Sequence, residues 1–243
     1  MNKEKIAISI DTDVIKLVDA KVDGTMLRSR SQAIEYFTRK GLGSETITAA
    51  VILLRGSHQN VALKNYEGKK LIEKQIEFFK SNGIENIYLI TQKPNKELRE
   101  LLIKSPVKII DKEAKANGSA LKVLQKEIKD SFLVMSGDTY NEFDLQKMIN
   151  KHKAMGKLAT MGLMTREETK NYGTAIIDGD LIIDFREHSK EGSSHIVNAG
   201  IYIFKPEVFE LITSSLEYDL FPKLAKIKEL VGFFTYGEYA HLG

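Results

Sequence analysis

Cysteine is absent from all 243 residues. That excludes disulfides, thiolate nucleophiles and cysteine-based zinc sites, and it fits a reducing, cytoplasmic setting. Nor is there an apolar run of about 18 residues, the least that a membrane-spanning helix requires. The opening Met-Asn-Lys-Glu-Lys alternates at once and lacks the apolar core of a secretory leader, so neither leader nor membrane is expected. Excess charge is scarce: 36 basic against 33 acidic residues leave +3, too little to announce nucleic-acid binding from composition. The five histidines (His58, His152, His188, His195 and His241) show no metal-ligand spacing. Internal repeats and low-complexity tracts are missing too. What is present is an ordinary globular mixture, 42% hydrophobic and 28% charged, long enough for one or two domains and a sizeable core.

The first forty residues have a texture of their own. From Lys3 to Ile10, Ile6, Ile8 and Ile10 alternate with Lys5, Ala7 and Ser9, the period of a half-buried strand. Asp11 or Thr12 can cap a following helix, in which Val14, Leu17 and Val18 recur at helical spacing. A second helix is expected after Ser29 or Ser31, with Ala33, Ile34 and Phe37 on its apolar side, closing at Gly41. So short a segment cannot bury a core alone, and one strand cannot satisfy its own backbone. A second copy of the chain is the expected remedy, giving a homodimer through the strand, with a higher oligomer left open.

That strand-helix-helix pattern, with its I-x-I-x-I strand and S-R-S-Q-A-I helix start, resembles the ribbon-helix-helix repressors. The resemblance implies a two-stranded ribbon in the major groove of operator DNA, with Lys5, Ala7 and Ser9 toward the bases and Lys3 also on the DNA. Ser29, Arg30 and Ser31 would meet a phosphate at the second helix's start. Eight basic and six acidic residues between Lys3 and Lys40 give this arm a net +2. The domain division expected is 1–43, a linker at 44–47, and a body over 48–243.

In the body the pattern turns to strands alternating with helices. Apolar β-rich runs occur at Ala49–Leu54, Asn86–Thr91, Val107–Asp111 and Phe132–Ser136, then at Leu158–Met164, Gly173–Asp178, Leu181–Phe185, Asn198–Phe204 and Val231–Thr235. Helical stretches fall at Lys69–Ser81, Asn95–Lys104 and Ser119–Lys129. The fold class expected is α/β, a doubly wound, mostly parallel Rossmann-like sheet.

Several local patterns in this body resemble the sugar nucleotidyltransferases, in family order. Ala50-Val51-Ile52-Leu53 with Gly56 resembles the first strand and glycine-rich loop, and Gly118-Ser119-Ala120-Leu121 the segment near the nucleobase. Phe132 to Asp138 resembles the strand ending in a metal-binding aspartate. Tyr172-Gly173, Glu187 and Asn198-Ala199-Gly200 resemble the sugar-contacting motifs. The resemblance implies a nucleotide, sugar phosphate or nucleotide-sugar ligand on Gly56, Gly118, Ser119, Asp138, Tyr172, Gly173, Glu187, Asn198 and Gly200, with Mg2+ on Asp138. There are departures. The family loop reads G-x-G-T-R, whereas Gly56-Ser57-His58-Gln59-Asn60 has one glycine and no arginine in register. The family's lysine falls on Val61, with Lys64 three residues away. His188 follows Glu187 where the family has lysine, and His241 stands at the second metal carboxylate.

Nucleotidyl transfer needs positive groups on the phosphate oxygens where charge develops. From these departures the body is expected to bind without turnover, with no catalytic residue, as the small-molecule sensor of a DNA-binding transcriptional regulator. Two other readings stand beside it: an active sugar-phosphate nucleotidyltransferase whose arm only dimerises, and a non-enzymatic scaffold.

Overall fold

A computed structural model describes residues 7–22, 29–41, 47–187, 194–234, 237 and 239–242. The chain divides into two compact units, Met1–Thr46 and Ile47–Gly243.

In the first unit, helix Thr12–Asp19 is capped by Asp11, whose carboxylate accepts from the Asp13 and Val14 amides. Helix Arg30–Gly41 starts after Ser29, whose hydroxyl accepts from the Gln32 amide. Residues 7–10 form no strand, and Lys3 and Lys5 lie outside the described residues. A strand needs a neighbour to complete its ladder, and the described part of one chain supplies none to Ala7–Ile10. Arg30 is also not free for a phosphate: its guanidinium grips both oxygens of Asp19 at 2.7 and 2.6 Å and holds that carboxyl below its usual range.

The second unit is built on a nine-stranded sheet. Its strands are β1 (Ala49–Leu53), β2 (Asn86–Thr91), β3 (Val107–Asp111), β4 (Phe132–Ser136) and β5 (Ala159–Thr165). The rest are β6 (Thr174–Asp178), β7 (Leu181–Arg186), β8 (Ile196–Phe204) and β9 (Leu230–Phe234). Their spatial order is β3-β2-β1-β4-β8-β5-β9-β7-β6. The half from β3 to β4 is parallel throughout. Beyond it, β8 runs antiparallel to both β4 and β5, and β7 to both β9 and β6, with β5 and β9 parallel. The sheet is therefore mixed rather than mostly parallel. For one pair the reason is local: β6 and β7 are joined by Gly179-Asp180 alone, with Gly179 at φ +57. Two residues can close a hairpin, whereas a parallel crossover needs about a dozen.

Period two sorts the core onto the two faces. Val51, Phe132, Val134, Tyr202 and Phe204 pack on one side, under Phe209, Phe221 and Leu224. Ile52, Leu133, Met135, Ile201 and Ile203 pack on the other, under Ile72, Phe79, Leu98 and Met148. Strands buried on both faces read as continuous apolar runs, which is why they were legible.

The helix Leu145–Met155 buries His152, whose Nδ1 lies 2.9 Å from Thr160 Oγ1 while Nε2 has no partner among the described residues. Burial, helped by the positive charges of Lys205 and Lys153, lowers this imidazole to about 4. Unfolded, it titrates near the ordinary 6.5, so the unfolded chain binds more protons between these values. Stability from keeping His152 neutral is thus full above pH 6.5 and is lost as pH falls toward 4, by about 3 kcal/mol. His152→Gln should flatten that acid limb. Melting temperatures from pH 7 to 4 check it, and parallel curves for both proteins would refute it.

Candidate functional site

A cleft of about 920 Å³ opens where the parallel strands end, the position at which such sheets take ligands. The chain leaving β1 enters a tight turn, Gly56–His58, and continues into a short helix, Gln59–Ala62. Buried Gln59 fixes this turn to the end of β2: its Nε2 donates to the carbonyls of Gln92 and Lys93, and its Oε1 accepts from the Asn95 amide. Ser57 and His58 thereby face the cleft.

Asp138 follows β4 and lies in the cleft, its Oδ2 3.2 Å from His58 Nδ1. The turn carrying it is tied at both ends by buried Gln75, whose Nε2 donates to the carbonyls of Ser136 and Thr139. Behind it, Thr139–Asn141 pairs antiparallel with Tyr239–His241, and Leu242 N donates to the Asp138 carbonyl. His241 reaches the cleft and sets its ring 5.7 Å from that of Tyr172.

The opposite wall comes from the antiparallel half. Between Asn198 and Tyr202 the pairing of β8 with β5 shifts register, and Gly200 takes φ +70 there. A side chain at Gly200 would press on Thr139 and Ser136. Asn198 braces the irregularity, its Oδ1 accepting from Gly200 N and its Nδ2 donating to the Tyr202 hydroxyl. Burial holds Tyr202 well above the usual tyrosine range, so that hydroxyl keeps its proton. Gly173 allows the closest approach on this side, since a Cβ there would lie 2.4 Å from both Glu187 Oε2 and Phe185 Cζ.

Of the residues expected from sequence, Gly56, Asp138, Tyr172, Gly173, Glu187, Asn198 and Gly200 meet around this one cleft. Gly118 and Ser119 do not line it. Gly118 is buried, and Ser119 N donates to the Ser214 carbonyl, so this pair joins the helix Asn117–Leu121 to the segment around Ser214. His188 lies outside the described residues. Lys64, three residues from the family's lysine position, is engaged with the Leu242 carbonyl, and nearby Lys69 and Lys70 pair with Glu77 and Glu97. Sequence reasoning missed Arg55, Lys112, Lys115, Asn117 and Glu217, all in the lining. Arg55 directly precedes Gly56 and Lys112 directly follows β3, so the strand-end rule could have found both.

Among the described residues no three His, Asp or Glu side chains gather to hold a metal. The donor set does fit an ion arriving with a nucleotide. Mg2+ keeps several waters and needs one or two carboxylates plus substrate phosphates, and Asp138 offers one carboxylate at the strand end.

A mixed sheet with a cleft at the ends of its parallel strands defines an open-sheet α/β protein with its ligand site at the strand ends. More particularly, the chain belongs to the nucleotidyl transferase family, whose sequence model matches residues 56–229. A Sulfolobus acidocaldarius protein, provisionally named a mannose-1-phosphate guanyltransferase, is 30% identical over 177 residues, 70% of this chain and 49% of its own. The UTP–glucose-1-phosphate uridylyltransferase of Synechocystis is 38% identical over 128 residues, 47% of this chain and 33% of its own. In structure, HddC of Yersinia pseudotuberculosis complexed with GMP-PN superposes with a TM-score of 0.66 at 23% identity, over 81% of this chain and 94% of that one. The chain spans about half the length of the curated relatives it matches.

These findings correct the functional expectation. A DNA-binding regulator with a catalytically silent sensor is contradicted, because the relatives are named as sugar-phosphate nucleotidyltransferases. Nothing in them supports a DNA-reading role for Ala7, Ser9, Ser29, Arg30 or Ser31. The family match runs over residues 56–229, whereas the departures fall in a short loop and at a few single positions. Among the described residues, no helix is long and apolar enough to cross a membrane.

Proposed function

We propose that this chain is an active sugar-phosphate nucleotidyltransferase. A phosphate oxygen of a sugar 1-phosphate attacks the α-phosphorus of a nucleoside triphosphate. The bond from that phosphorus to the bridging oxygen of the leaving pyrophosphate breaks, giving nucleotide-sugar and pyrophosphate. The small-molecule ligand expected from the sequence becomes this substrate pair. The observation that carries the reading is the cleft, lined mostly by residues of the family-matched region, that joins Asp138 at a parallel strand end to Glu187 and Asn198 on the antiparallel side.

The parallel half suits the nucleotide, and the opposite wall, with Glu187 and Asn198, suits sugar hydroxyls. Mg2+ held between Asp138 and the substrate phosphates would supply neutralising charge. The chain's own part is to hold the two phosphates in line and to keep water from competing.

The test is product formation by the full chain with Mg2+, pairing GTP, UTP or dTTP with mannose 1-phosphate or glucose 1-phosphate. Nucleotide-sugar should form at ordinary enzyme rates, about 1 per second or more, for at least one pair. Background rates for every pair would overturn the reading.

The N-terminal unit, in this reading, serves dimerisation in strand-helix-helix form. Ile8, Val14 and Leu17 are 60, 47 and 69% exposed, apolar surface that a second copy could cover. Sedimentation at micromolar concentration should show a dimer; a monomer would refute this role.

A further inference from the structure

The cleft gathers three cations that no sequence motif marks. Arg55 comes from the chain leaving β1, Lys112 directly follows β3, and Lys115 lies three residues further on. All three are exposed, and among the described residues none has a side-chain hydrogen bond or ion pair. That sets them apart from Lys64, Lys69 and Lys70, whose ammonium groups are committed. Of the two acids adjacent to Lys112 in sequence, Asp111 accepts from the Lys93 amide and from Arg99, and Glu113 does not line the cleft. The segments after β1 and β3 bring these cations to the cleft wall and no carboxylate.

Like charges brought to one wall repel, and although Asp138, Glu187, Glu217 and Asp219 line other parts of the cleft, no ion pair among the described residues offsets that cost at these three. An anion would. Strands β3 and β1 flank β2, so the points where Lys112 and Arg55 leave the sheet stand two strand spacings apart, about 10 Å. Long side chains from both sides can close on a phosphate chain lying over the end of β2, beside Gln92. A planar guanidinium takes two phosphate oxygens at once, and an ammonium adds point charge.

We propose that Arg55, Lys112 and Lys115 together bind the polyphosphate of the incoming nucleotide. They would supply the positive charge that the glycine-rich loop of this chain lacks. This inference rests on the nucleotidyltransferase reading for the identity of the ligand, but its test separates the two.

Inorganic tripolyphosphate is titrated into the full chain by calorimetry, with GTP and GMP alongside. Each single change, Arg55→Ala, Lys112→Ala or Lys115→Ala, should weaken tripolyphosphate and GTP by about 5-fold. The triple variant should lose about 100-fold, since the sites share one ligand but not one contact. GMP should change less than 2-fold, and Lys104→Ala, an exposed lysine outside the lining, should change nothing. Salt should weaken wild-type binding of tripolyphosphate more steeply than that of the triple variant.

Tripolyphosphate binding that is absent from the wild type, or equal in all variants, overturns the proposal. If the triple variant forms nucleotide-sugar at the wild-type rate with unchanged affinity for the triphosphate, the cation assignment fails and the enzyme reading stands. If the wild type makes no product yet binds tripolyphosphate through the three cations, the assignment stands and the enzyme reading fails.

Discussion

Asp138→Ala is expected to lower nucleotidyl transfer by about 10²- to 10³-fold, the usual effect of removing one preorganised electrostatic group from a reacting centre. Asp138 is the one acid that the ends of β1 to β4 contribute to the cleft lining. The antiparallel wall and the segment after β8 supply the other acids there: Glu187, Glu217 and Asp219. Folding should survive the change. The turn is held through backbone groups, the Ser136 and Thr139 carbonyls on Gln75 and the Asp138 carbonyl on Leu242 N, and none of these needs the carboxylate. Asp138→Asn separates charge from shape: it keeps a polar partner for His58 but cannot neutralise a cation. It should be nearly as impaired as the alanine variant. Turnover within threefold of wild type in either variant, with an unchanged melting temperature, would remove Asp138 from the chemistry.

Gly118→Ala is expected to destabilise the second unit by about 2–3 kcal/mol, in the range of overpacking a filled interior. The added Cβ would lie 2.4 Å from the Ser214 carbonyl oxygen and 3.1 Å from Ile212 Cγ2. A carbonyl oxygen is backbone and cannot rotate aside, so the helix Asn117–Leu121 must shift and strain the Ser119 N to Ser214 O bond of 2.8 Å. Asn117 would move with it, and its amide ties Glu217 and the Leu216 backbone into the cleft wall. For a unit of this size the melting temperature should fall by about 5–10 °C. Gly156→Ala is the comparison: φ there is +64 and nothing lies within 4 Å, so only backbone strain is added, about 1 kcal/mol. Equal melting temperatures for the two variants, followed by circular dichroism, would show that the contact at Gly118 is not tight. The same result would leave a direct ligand-binding role for Gly118 open.

Much of the sheet was legible because strands such as Ala49–Leu53 and Phe132–Ser136 are apolar on both faces and need nothing distant to explain their composition. The helix Leu145–Met155 was less legible. Its buried face includes His152, a residue whose burial depends on a hydroxyl eight positions away on β5. The site divided in the same way. Asp138 and Gly56 stand beside strand ends, and the resemblance to the family's motifs marked them. Lys115 and Glu217 carry no pattern, because only packing brings them to the same cleft.

The sequence by itself determined the α/β alternation, the two-part texture of the chain, the absence of thiol chemistry and the positions of the strand-end residues. Each follows from composition or from a period of two or 3.6 residues, which are properties of neighbours along the chain. The tertiary structure decided three things. It made the sheet mixed at its centre, because β8 inserts antiparallel between β4 and β5, strands far from it in sequence. It set Gly118 and Ser119 against the segment around Ser214 rather than in the cleft lining, a contact between residues about 95 positions apart. It also sorted the lysines, because ion pairing is a matter of distance in space: Lys69 and Lys70 meet carboxylates, while Lys112 and Lys115 meet only the cleft.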